Sequence, residues 1–182
     1  MKFVYVFLAL VTPAICLAQT STNPKPEKQI SFARETKPHT YYVQQAELWW
    51  KEVQKDSTSE TNWYNYFRAC RNAWGSDDWK SDFIKESPYL KTGDDIVKLI
   101  YAHIPDSFTY YYLSYLNGGF GKENGENILK AYRMNPNFEG IHSSVVSYAA
   151  SNFKDSLRKE VNKAWYKTNY FSPSLLSYTI MS

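Results

Sequence analysis

Cysteine is scarce in this chain: Cys16 and Cys70 are the only two among 182 residues. Cys16 falls in an amino-terminal stretch with the features of a removable signal. The mature chain is then left with one thiol, which excludes an intrachain disulfide, and stability has to come from packing. Charge of one sign is lacking too. Lys and Arg total 21 against 18 Asp and Glu, and no basic run interleaves with aromatic residues, so nothing favours nucleic acid. No alternating apolar run is bounded by Asn-Gly or Asp-Gly, so paired strands have no signal. The longest apolar run, Phe3 to Val11, is too short for a bilayer core of about 30 Å, and no stable membrane span is expected in the mature chain.

Chemistry-bearing constellations are missing as well. His39, His103 and His142 lie far apart, without Cys, Asp or Glu at metal-ligand spacing. Gly121-Lys122 invites a phosphate-loop reading, but Leu116 and Glu123 stand where that loop needs a glycine and a hydroxyl. The stretch 117–125 holds four of the seven glycines and reads better as an inter-helix turn. Asp77-Asp78 and Asp94-Asp95 suit helix starts, where negative charge favours the macrodipole. No serine sits in a nucleophile elbow. The expectation is a protein that is not an enzyme and needs no cofactor and no metal.

Lys2, the apolar run and Cys16-Leu17-Ala18 before Gln19 together read as a secretory signal over residues 1–18. A lipidated Cys16 is the rival, although Ile15 stands where a lipoprotein signal wants a small residue. The expected address is the periplasm or cell envelope of a bacterium. Residues 19–40 are polar, carry Pro24, Pro26 and Pro38, and read as a flexible leader. A helical domain is expected over 41–182.

Aromatic residues are abundant, at 18% with six Trp and sixteen Tyr, and most stand at helical spacing. Val43, Ala46, Trp50 and Val53 share one face of a first helix. Ser57 with Glu60 reads as a capping box for the second, which carries Trp63, Tyr66, Phe67, Cys70 and Trp74 and ends at Gly75. A short helix through Trp79 and Phe83 is broken by Ser87-Pro88. Thr92 with Asp95 opens a helix whose inward face is Ile96, Leu99, Ile100 and His103, closed by Pro105. Phe108, Tyr111, Tyr112 and Tyr115 form an aromatic stripe, Ile128, Ala131 and Tyr132 a narrower one, and Pro136 ends that pair. Ile141, Val145, Tyr148 and Ala149 make a further stripe. Beyond Asn152 lie Phe153, Leu157, Val161, Ala164 and Trp165, then a helix start at Ser172-Pro173. The fold expected is all-α, with about eight helices joined by short links.

From Pro105 to Phe138 the pattern resembles a tetratricopeptide repeat, a helix-turn-helix unit of about 34 residues. Phe108, Tyr111 and Tyr115 match the large positions of its first helix, Ile128 and Ala131 those of its second, and Pro136 its closing proline. Tyr112 and Asn124 stand where the family prefers small residues. Residues 46–73 and 139–172 match in outline. The resemblance implies stacked antiparallel helix pairs, a degenerate α-solenoid, with an irregular helical bundle as the alternative. It also implies a scaffold that binds a protein or peptide.

Three consecutive tyrosines, Tyr110, Tyr111 and Tyr112, cannot all face one seam at about 100° per residue. Tyr110 is the expected groove residue, and Tyr112, Trp49 and Trp79 are further candidates for partner contact. The alternative is an envelope glycan-binding module, which would need exposed, coplanar indoles among Trp49, Trp50, Trp74 and Trp79. The final segment, 173–182, is apolar and uncharged and is expected to need cover, as if the chain continued past Ser182.

Overall fold

The computed structural model describes residues 24–29, 37–75, 87–118, 122–138 and 140–151, with two isolated helical positions at 159 and 163. Among the described residues there are six helices and no strand. They are α1 (His39–Lys55), α2 (Glu60–Trp74), α3 (Gly93–His103), α4 (Phe108–Gly118), α5 (Lys122–Met134) and α6 (Ile141–Ser151). Consecutive helices pack on each other throughout, and α2 also packs on α4. The expected signal, the helix through Trp79, the helices beyond Asn152 and the 173–182 segment lie outside the described residues.

Local chemistry fixes most helix ends where the sequence puts them. Thr92 Oγ1 accepts from Asp95 N at 3.1 Å while its hydroxyl donates to Asp95 Oδ2 at 2.8 Å, so the expected cap of α3 forms. Gly75 closes α2, its N–H donating to Arg71 O, and Pro136 follows the end of α5. The α2 start differs. Its cap is Ser59, whose Oγ accepts from Asn62 N at 3.3 Å, while Ser57 gives its carbonyl to Trp63 Nε1 at 2.8 Å. Glu60, freed from the expected box, accepts from Thr109 N at 2.7 Å and so satisfies an orphan donor in the first turn of α4.

The core follows the stripes. Ala46 and Val53 of α1, Ile96 and Ile100 of α3, Ile128 and Ala131 of α5, and Ile141, Val145, Tyr148 and Ala149 of α6 are buried. Three stripes need correction. Trp74, expected on the α2 stripe, is 39% exposed at the end of the helix. His103 is exposed at the last position of α3, its Nδ1 2.9 Å from Leu99 O, because the buried face ends at Ile100. Tyr111 leaves the α4 seam for a partly buried position, and Leu113 and Thr109 take its place beside Phe108, Tyr112 and Tyr115.

The leader is not uniformly loose. Residues 24–29 lie against α1 and α2, and Gln29 is buried. The expectation of flexibility fails there because polar side chains of α1 and α2 hydrogen-bond the segment's backbone, an interaction that hydropathy patterns do not encode.

Close approach between α5 and α6 depends on Gly125, where a Cβ would collide with the ring of the buried Tyr148. Gly140, at φ 84°, makes the turn into α6 with a backbone that side chains disfavour. Gly125→Ala should destabilise the fold by about 1–3 kcal/mol through overpacking, read by urea denaturation. Gly75→Ala, which meets only ordinary contact, should stay within about 0.5 kcal/mol of wild type.

Candidate binding surface

The helical step sorts the tyrosine triplet. Tyr112 turns inward, 3% exposed, stacked on Phe108 at 5.4 Å and Tyr64 at 6.4 Å, with the edge of Phe138 at 5.3 Å. It is a core ring and not a partner contact, because about 400° of helix rotation returns it to the face of Phe108. Tyr110 and Tyr111 lie partly buried on the flank. Tyr110 meets Tyr101 of α3 at 5.2 Å on one side and Tyr111 at 5.2 Å on the other. Lys130 of α5 places its Nζ 4.8 Å from the Tyr111 ring centre.

Three helices thus present one row, Tyr101, Tyr110, Tyr111 and Lys130. Tyr101 is 58% exposed, the most exposed large apolar side chain among the described residues. The Tyr111 hydroxyl donates to Asp106 Oδ1 at 2.9 Å, a bond that raises its pKa and keeps the phenol protonated. The row offers flat apolar faces, phenol groups and one cation, a combination suited to holding a peptide or another polar-apolar partner. Tyr101 was readable in the sequence: it lies off the Ile96–Ile100 stripe, where an aromatic residue has no core to enter.

The other candidates divide. Trp49 is half-buried, and its Nε1 donates to Glu27 O at 2.9 Å, so its polar edge is engaged by residues 24–29. Trp79 lies outside the described residues. Trp50 packs against Trp63 at 6.2 Å and Tyr66 at 5.1 Å, with Lys91 Nζ 5.4 Å from its ring. Trp74 is 39% exposed at the end of α2. Among the described residues, Trp49, Trp50 and Trp74 occupy different environments.

A second concavity, about 410 Å³, opens beside Arg71, Trp74, Thr92 and Asn117. The Arg71 Nη1 donates to Leu116 O at 2.9 Å, and the Asn117 amide donates to Asp94 Oδ1. Burial pushes the Cys70 thiol at its edge up to about 11, so the sulfur stays protonated and unreactive at neutral pH. Among the described residues, no group of three His, Cys, Asp or Glu side chains could hold a metal ion. Nor is any helix among them long and apolar enough to cross a membrane. The chain matches no known family model, no curated protein and no solved structure.

Two measurements follow. Tyr112→Ala should remove about 3–5 kcal/mol of stability, whereas Tyr110→Ala should remove less, about 1–2 kcal/mol, since its ring is partly buried. Burial lowers the pKa of His142, whose ring meets Tyr132 edge-on at 5.8 Å. The unfolded chain takes up that proton near pH 6.5, and the folded chain only at lower pH. This part of the stability is therefore present above pH 6.5 and is lost as pH falls below it. Unfolding free energy should decline between pH 7 and 5.5, by at most about 1.4 kcal/mol per pH unit from this group. In His142→Phe that portion of the slope should vanish.

Proposed function

We propose that this chain is a non-catalytic helical scaffold, exported to a bacterial envelope, that binds a protein or peptide through the Tyr101–Tyr110–Tyr111 row. We read its helices as stacked antiparallel pairs of tetratricopeptide-like kind. Two observations support that arrangement: sequence-adjacent helices pack on one another with α2 also meeting α4, and Phe108, Tyr112, Tyr115, Ile128 and Ala131 are buried. The observation that carries the binding assignment is the row itself. Rings of α3 and α4 meet one another and, through Lys130, reach α5, and the row contains Tyr101, the most exposed large apolar side chain among the described residues. Rigid helices hold these rings in place, so a partner meets apolar area that loses little entropy on contact. The export assignment rests on the signal-like residues 1–18 alone.

Selection of phage-displayed random 12-residue peptides on the mature domain tests the assignment. Peptides recovered on wild type should bind the Tyr101→Ser/Tyr110→Ser/Tyr111→Ser variant at least tenfold more weakly, with the variant's helical circular dichroism unchanged. Equal affinity for both, or no recovered binder, would remove the row as a peptide site. Oligosaccharide binding on a glycan array that disappears in the same variant would transfer the row to the glycan reading.

A further inference from the structure

The segment 24–29 is held through its backbone by side chains of α1 and α2. Three helix side chains read its backbone at every second residue. Gln45 Nε2 donates to Lys25 O at 3.5 Å and Gln45 Oε1 accepts from Glu27 N at 2.7 Å. Trp49 Nε1 donates to Glu27 O at 2.9 Å, and Asn65 Oδ1 accepts from Gln29 N at 2.8 Å. Two side chains of the segment are read as well. The Glu27 carboxylate accepts from the Tyr41 hydroxyl at 2.8 Å. The Gln29 amide, 4% exposed, donates to Glu27 O and lies 3.4 Å from Gln45 Oε1. Lys25 and Lys28 stay exposed.

Gln45 and Asn65 are 2% and 3% exposed. Those exposures hold with the segment docked, and a buried amide without partners costs about 1–3 kcal/mol, so the segment's backbone supplies the hydrogen bonds that its own docking takes from water. Contact at alternate residues is the signature of an extended ligand, whose successive residues face opposite ways. Pro24 and Pro26 bias the segment toward that extended form before it docks. An open cleft of about 690 Å³ continues the same surface beside Pro24, Pro26, Leu48 and Lys51.

We infer that the face of α1 and α2 lined by Tyr41, Gln45, Trp49 and Asn65 is a peptide-recognition groove for extended segments of the form Pro-Glu-x-Gln, filled in cis by residues 26–29 of this chain. The occupant it takes in trans is an extended segment of a partner protein with that pattern. A short tether gives the cis segment an effective concentration in the millimolar range, so the intact chain is largely closed to weak ligands. A second copy is a poor occupant, because its own segment is tethered to its own groove equally well. This groove is a different face from the tyrosine row and stands whether or not that row binds.

The test uses the whole mature chain with a protease recognition sequence inserted between residues 33 and 34. The probe is a fluorescein-labelled peptide of residues 22–31, followed by anisotropy. After cleavage and removal of the freed leader, the probe should bind saturably, and unlabelled peptide should compete. The uncut chain should bind at least tenfold more weakly. Gln45→Ala should weaken the cleaved chain at least tenfold, and Trp49→Phe, which keeps a ring but deletes the donor, several-fold. Glu27→Ala in the peptide and Tyr41→Phe in the protein should each weaken binding, and together no more than either alone. Equal binding to cut and uncut chains, no binding to the cut chain, or indifference to Gln45 and Trp49 would overturn the groove. So would loss of helical circular dichroism after removal of the leader, since the segment would then be part of the core. A dimer that dissociates on adding the peptide would make a second copy the occupant and overturn the partner assignment.

Discussion

The described fold depends on α2 having almost no free side. From Asn65 to Cys70 six consecutive residues are buried, more than one full turn, so the helix is covered on every side there. Three helices and the segment 24–29 provide that cover. Over that enclosed stretch the polar residues must find partners inside. Asn65 bonds Gln29 N and Thr61 O, while Arg68 lays its guanidinium 5.3 Å from the Tyr64 ring and donates to the Tyr64 hydroxyl. The elements around α2 are placed by what α2 needs covered.

Building that core from Tyr and Trp has a structural consequence that Leu would not have. Each ring brings a polar tip that must be satisfied when buried. Trp63 donates to Ser57 O, Tyr66 to Tyr89 O at 2.6 Å and Tyr115 to Ser144 O at 3.0 Å. The first two tips reach backbone outside the helices and the third crosses to α6. Connecting segments are thereby fastened to the core, and packing does the work that disulfides do in small disulfide-bonded domains.

Sequence and structure agree where the information is local. The caps at Thr92 and Gly75, the stop before Pro136 and the stripes of α5 and α6 depend on neighbours within one or two turns, and all were readable. Ser59 displaced Ser57 as a cap because two hydroxyls compete within one turn and only one meets the correct backbone N–H. Tyr112 had the right periodicity for the core, and its place among candidate contacts came from counting rings without ranking the faces. Tyr101 was visible as an aromatic residue off its stripe. The docking of 24–29 was not legible, since it joins Glu27 to Gln45 and Gln29 to Asn65 by hydrogen bonds between residues that each look solvent-loving. The pairing of Glu60 with Thr109, 49 residues apart, was hidden for the same reason.

Cys70 gives this molecule a built-in clock. In a chain cut after Ala18 it is the one thiol, 2% exposed on the central helix, its sulfur 4.0 Å from Tyr89 O. At that exposure a soluble disulfide reagent gains full access to the sulfur when the packing around α2 opens. Its rate of modification therefore counts openings of the enclosed helix, separately from fraying elsewhere. An oxidising environment makes this more than a laboratory convenience: each opening exposes a sulfur able to form a mixed disulfide, which would hold the chain open. How firmly the rings around α2 keep it closed thus sets how often this thiol meets the solvent.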